Sequence, residues 1–198
     1  MKKKVIVALM AAILAVTAVF TGCGSDVTRD EGKQEENEVI RNETPEESGE
    51  PEYVKFPEFA TTTIMGEDTD YSIFAEADVT MINIWGTFCG PCINEMPDLA
   101  ELNGELPEGC ALVGIVTDVY GEDNLDKAVE IVTQTGVTYD NIIPDDALYQ
   151  FLAANITGVP TTLYVDREGN ILGGVVGARS KDDYKAILEE LVKQSAVE

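Results

Sequence analysis

Residues 84–97 read IWGTFCGPCINEMP and place Cys89 and Cys92 three positions apart. Such a pair is a redox couple, half of a metal site or a structural crosslink, and its surroundings decide among these. Upstream, Val79 to Trp85 (VTMINIW) is a short apolar run that predicts a buried strand. Downstream, Pro91 to Leu106 carries Cys92, Met96, Leu99, Leu102 and Leu106 at helical spacing. The strand therefore leads through Gly86, Thr87 and Phe88 into a cysteine at a helix N-terminus. Free backbone N–H groups and the helix dipole stabilise a thiolate there. Pro91 suits the first turn, where no N–H bond is required of it. Cys92 lies one turn further in, placed to attack a mixed disulfide at Cys89. Attack thus falls to Cys89 and resolution to Cys92.

Composition removes most competitors. The chain has no histidine, which excludes histidine metal sites, Ser-His-Asp and Cys-His catalysis. A structural zinc needs four ligands, and one CxxC with only Cys110 to spare does not supply them. Cys110 itself reads as a small hydrophobe at the head of a strand. A crosslink across two intervening residues constrains little chain and stabilises poorly. The net charge of −24 argues against nucleic-acid partners, which require a basic surface. The run GGVVG, Gly173 to Gly177, lacks the spacing of a dinucleotide site, so no nucleotide cofactor is expected.

Beyond the pair, Ala111 to Val116 predicts a second buried strand and Asn124 to Thr135 a helix. A short helix is expected over Ala147 to Ala154. Thr161 to Val165 and Ile171 to Val176 read as strands joined by the turn sequence DREGN. Ser180 to Gln194 closes as a helix, Ser180 capping it with Asp183, and Tyr184, Ile187, Leu188, Leu191 and Val192 form its apolar face. Pro97 falls inside the first helix and predicts a kink. Strands alternating with helices argue an α/β sheet flanked by helices.

The run W-x-x-x-C-G-P-C-x-x-E-x-P resembles thioredoxin-fold proteins, specifically the membrane-anchored thiol-disulfide reductases of the TlpA and ResA type. Two further anchors follow in order: GVPTT, Gly158 to Thr162, and VGARSKDDYKAIL, Val176 to Leu188. The resemblance implies a thioredoxin-like fold, with a mixed central sheet and an inserted strand-helix unit between the CxxC helix and a cis-proline. That proline is Pro160, facing the cysteines and leaving the Val159 backbone free to pair with an extended substrate. Gly177 would give the substrate backbone room, Phe88 would form an apolar lip on the substrate side of the pair, and Trp85 would lie near it as a substrate contact, against the alternative of packing. Asn83 stands where thioredoxin has a buried aspartate, and Glu95 where the family places a functional carboxylate. Glu95 is expected to accept the Cys92 proton and raise the thiol pKa values, against the alternative of a solvated first-turn glutamate.

The chain opens with Lys2, Lys3 and Lys4, then an apolar run to Phe20 and TGCGS. This resembles a bacterial lipoprotein signal, residues 1–22, with Cys23 as the lipidated residue; an uncleaved anchor is the other reading. Either one puts the remainder on the extracytoplasmic side of the cell membrane. Residues 24–55 hold eleven Asp and Glu against four Lys and Arg, so 23–55 reads as a disordered acidic tether and 56–198 as the thioredoxin-like domain.

The expected protein is a monomeric, tethered reductase of disulfides in exported proteins, with the Cys89–Cys92 couple as its only redox group. The resemblance implies a membrane thiol donor of electrons and apocytochrome c thiols as one substrate class. No Lys or Arg lies between Lys55 and Lys127, so no sequence-near cation stabilises the thiolate, and a reductant is expected. A thiol peroxidase would need a Pro-x-x-x-Thr-x-x-Cys setting, whereas Thr87 stands two residues before Cys89. A tethered metallochaperone of the same fold would rely on a histidine and wider cysteine spacing.

Overall fold

Residues 53–195 are described by a computed structural model. The expected signal at 1–22, the expected lipidation residue Cys23 and nearly all of the expected acidic tether lie outside the described residues. Among the described residues no helix is long and apolar enough to cross a membrane.

The apolar run Val79–Trp85 forms the central strand, β3, and every residue in it is buried. Two strands precede it, β1 (Ala60–Thr62) and β2 (Asp68–Asp70), followed by a 3-10 helix at Tyr71–Glu76. After it come α1 (Gly90–Asn103), β4 (Cys110–Val116), α2 (Leu125–Thr135), β5 (Asn141–Ile142) and α3 (Asp146–Asn155). The chain closes with β6 (Thr161–Asp166), β7 (Ile171–Val176) and α4 (Lys181–Ser195). The main sheet has the order β5-β4-β3-β6-β7. The pairs β3–β4 and β4–β5 are parallel, while β3–β6 and β6–β7 are antiparallel. This is the mixed sheet of a thioredoxin-like fold, with β4, α2, β5 and α3 between the CxxC helix and Pro160.

Because side chains alternate across a strand, β3 serves two layers. Ile82 and Ile84 join Phe56, Phe59, Phe74, Leu148, Leu152, Leu163 and Val165 on one face. Val79 and Met81 join Leu99, Leu102, Tyr164, Tyr184 and Leu188 on the other, where α1 and α4 lie. Trp85 continues that second face under α2, packed with Met96, Ala128, Ile131 and Val132. Asn83, on the same face of β3 between Met81 and Trp85, reaches α1 at Glu95. The sheet thus delivers an amide to the redox helix.

Several boundaries differ from the periodicity reading. Helix α1 ends at Asn103, with the Gly104 N–H bonded to Glu101 and Leu102 carbonyls, so Leu106 packs from a loop. Pro97 lies within α1, which continues past it as one helix. Lys55 pairs with Asn170 and Ile171 N–H donates to Val54 O at 2.8 Å, so sheet contacts begin inside the segment read as tether. The cap of α4 has the expected reciprocal form: Ser180 Oγ accepts from Asp183 N–H at 3.2 Å, and Asp183 Oδ2 accepts from Ser180 N–H at 3.3 Å.

Trp85 was expected at the substrate side of the pair, and the structure corrects this. The indole is fully buried, and its Nε1–H donates to Asn141 Oδ1 at 2.8 Å. Asn141 Nδ2 donates in turn to Tyr139 O at 2.9 Å. A Cβ at Gly114 would collide with the Asn141 amide, so the missing side chain makes room for this bridge. Trp85 shares a buried cluster with both cysteines, and its full burial leaves it no surface to offer a substrate. Asn141→Ala strands the indole N–H in the core and should cost about 2–3 kcal/mol. The expected result is a lower urea midpoint at unchanged m, followed by emission of the single tryptophan; an unmoved midpoint would contradict the bridge.

Candidate active site

Cys89 is the N-cap of α1, and its Sγ accepts the Cys92 backbone N–H at 3.2 Å. The two cysteines form a disulfide with their Cα atoms 5.3 Å apart. Cys89 retains 5% exposure and Cys92 none. The outer sulfur is therefore the more accessible of the two. The helix N-terminus points at the outer sulfur, where it favours negative charge.

The loop before the pair is tied down from β4. Asp118 accepts from Thr87 N–H at 2.8 Å and from Thr87 Oγ at 2.6 Å. Asn124, in the left-handed region at φ 59°, donates its side-chain amide to Asp118 O at 2.8 Å. Phe88 projects outward with 68% exposure, and its ring lies over Gly86, where a Cβ would stand 2.6 Å from the ring. Phe88 thus presents an apolar, solvent-facing surface beside Cys89.

Pro160 follows a cis peptide bond from Val159. Val159 packs against the buried cluster that also holds Cys89 and Cys92. Gly177 N–H donates to Pro160 O at 2.8 Å, which places the third anchor beside the second. Gly177 has φ 86°, a conformation that disfavours any side chain, and this backbone requirement accounts for the glycine.

Glu95 is not a solvated first-turn residue: only 5% of it is exposed. Its Oε1 accepts from Asn83 Nδ2 at 3.0 Å, and its Oε2 accepts from Tyr184 Oη at 3.0 Å and Arg179 N–H at 3.2 Å. Burial pushes its pKa up, and the three hydrogen bonds with the Arg179 charge oppose that without cancelling it. Glu95 shares a face of α1 with Cys92, one turn on, while no hydrogen bond joins the two in the disulfide form. It borders an open cleft of about 460 Å³ lined also by Pro91, Asn94, Asp98, Arg179 and Asp183.

Cys110 stands apart from the site, half-buried at the start of β4, and burial with the Asp78 charge pushes its thiol up to about 11. Three residues of the site escaped the sequence reading. Arg179 and Tyr184 converge on Glu95 from the start of α4, and Asp118, just after β4, holds Thr87 ahead of the pair. Tyr184 had been absorbed into an apolar helical face; its hydroxyl in the first turn was the available signal. Among the described residues no group of three or more Cys, Asp and Glu converges as a metal site.

Fold and site together define a thiol-disulfide oxidoreductase whose redox group is its own disulfide. The chain belongs to the Redoxin family, whose model matches residues 51–189. It is 30% identical over 136 residues to thiol-disulfide oxidoreductase ResA of Geobacillus kaustophilus, spanning 68% of this chain and 75% of that relative. It is 27% identical over 128 residues to thiol:disulfide interchange protein HelX of Rhodobacter capsulatus, spanning 62% and 69% respectively. Among solved structures, a thioredoxin-family thiol:disulfide interchange protein of Chlorobium tepidum superposes with a TM-score of 0.61 at 25% identity, covering 72% of this chain and 99% of its own.

The raised Glu95 pKa carries a stability sign. The native carboxyl holds its proton more tightly than the unfolded chain does. Its contribution is then fullest below the ordinary glutamate value and is lost as pH rises through the raised native one. Glu95→Gln should flatten this portion of the stability–pH curve. Parallel curves for variant and wild type would contradict the assignment.

Proposed function

We propose that the chain is a membrane-tethered, extracytoplasmic reductase of disulfides in exported proteins. The observation that carries the reading is the unequal access of the two sulfurs at a helix N-terminus. The Cys89 thiolate attacks one sulfur of the target disulfide, a Cys89–target bond forms, and the other target sulfur leaves as a thiolate that takes a proton from water. Cys92 then loses its proton to Glu95 and attacks Cys89 Sγ. The second target sulfur leaves, the Cys89–Cys92 disulfide closes, and two electrons have passed to the target.

Phe88, the Val159 backbone, Pro160 and Gly177 frame the entry to Cys89 and are the proposed substrate contacts. An extended target segment would pair with Val159, whose backbone has no partner among the described residues. The pair must be reduced again, and a membrane dithiol carrier is the proposed donor. The N-terminal lysines, apolar run and Cys23 support a lipid anchor facing outward. The likeness to ResA and HelX supports thiol-disulfide exchange as the chemistry, and apocytochrome c cysteines are one proposed target class.

Reduction of insulin disulfides by the full chain tests the reading. Wild type should reduce them, Cys89→Ser should lose at least about 100-fold, and Cys92→Ser should accumulate a mixed disulfide. Undiminished activity in Cys89→Ser, or peroxide consumption outpacing disulfide reduction, would overturn it.

A further inference from the structure

The mechanism above leaves the base of the C-terminal helix without a task, although its first turn reaches into the redox helix. Tyr184 is fully buried on α4, and its hydroxyl donates to Glu95 Oε2 at 3.0 Å. Behind it, Thr162 Oγ1 on β6 donates to the Tyr184 oxygen at 3.3 Å. Thr162 also accepts from Asn83 Nδ2 at 3.4 Å, and Asn83 reaches the other oxygen of Glu95. Four elements thus close a ring of polar side chains around one carboxylate. Burial and the Glu95 charge push the Tyr184 phenol well above its usual range, so it stays protonated and remains a donor.

We propose that Tyr184 is a positioning residue for the redox reaction, its hydroxyl holding the Glu95 carboxylate in place one turn beyond Cys92 and setting the pH at which that carboxylate takes up a proton. The proposal rests on the reading of Glu95 as the acceptor of the Cys92 proton.

The other groups around Glu95 do not replace this contact. Arg179 acts through its backbone N–H and its charge, and its guanidinium donates to Ala178 O at 3.0 Å. Tyr139 and Tyr164 feel the Glu95 charge, but their buried hydroxyls have no partner among the described residues. Asp98 and Asp183 border the same cleft, and Asp183 is engaged with Ser180. Among the described residues, Tyr184 is the one side-chain hydroxyl bonded to the carboxylate.

Tyr184→Phe keeps the ring and removes only the donor. In the oxidised full chain, where Cys89 and Cys92 do not titrate, the Glu95 carboxyl can be followed by carbon-13 NMR, with Glu95→Gln identifying its signal. The Glu95 midpoint should rise by about one unit in Tyr184→Phe, the size expected for one lost hydrogen bond to a charged acceptor. Thr162→Val, which leaves Tyr184 in place without its supporting donor, should give a smaller rise. The acid limb of the Cys92 resolution rate should move upward with the NMR midpoint.

An unmoved midpoint in both variants would reduce Tyr184 to packing and overturn the proposal. Loss of the acid limb in Glu95→Gln tests the underlying reading separately. If that limb persists in Glu95→Gln while Tyr184→Phe still shifts the NMR midpoint, the role of Glu95 fails and its coupling to Tyr184 stands.

Discussion

One buried carboxylate, accepting hydrogen bonds from three parts of the chain, sets the arrangement of this active site. Glu95 on α1 takes Asn83 from β3, the Arg179 N–H from the loop after β7, and Tyr184 from α4. Burying a carboxylate costs several kcal/mol, and each hydrogen bond to it returns about 1.5–3 kcal/mol. The opposing terms are of similar size and burial keeps a net lead, since the Glu95 pKa stays above its ordinary value. A group balanced in this way can change protonation within a catalytic cycle. It also fixes α1 against the sheet and α4, and with α1 the positions of both sulfurs.

The same network accounts for the electrostatics of the pair. The Cys89 thiolate has the helix N-terminus on its side, with the Cys92 N–H already directed at Sγ. Histidine is absent, and the cation that the fold brings near, Arg179, acts on Glu95. A carboxylate one turn beyond Cys92 disfavours a second negative charge at the inner sulfur. Reduced forms of oxidants owe their stability to strongly favoured thiolates, and that support is weak here.

Where periodicity is strong, the sequence revealed the fold well. VTMINIW could only be a buried strand, and the Ser180–Asp183 cap marked the start of α4 to the residue. The hairpin β1–β2, the 3-10 helix and the two-residue β5 were illegible, because such short segments carry no period and depend on tertiary contacts. Near the pair, local motifs pointed to the helix N-terminus at Cys89 and to the cis bond before Pro160. Trp85 was misplaced because its motif position says nothing about burial, which depends on Gly114 and Asn141 from distant strands. Tyr184 and Glu95 are 89 positions apart, and no pattern in either helix announces their contact.

The central claim is that the site holds its thiols in a weakly stabilised, electron-donating state. The equilibrium reduction potential of the Cys89–Cys92 couple tests it most directly, measured against glutathione at neutral pH. The account predicts a value near that of thioredoxin, about −270 mV. A value near that of a strong oxidant, about −120 mV, would contradict it and reverse the direction of electron flow.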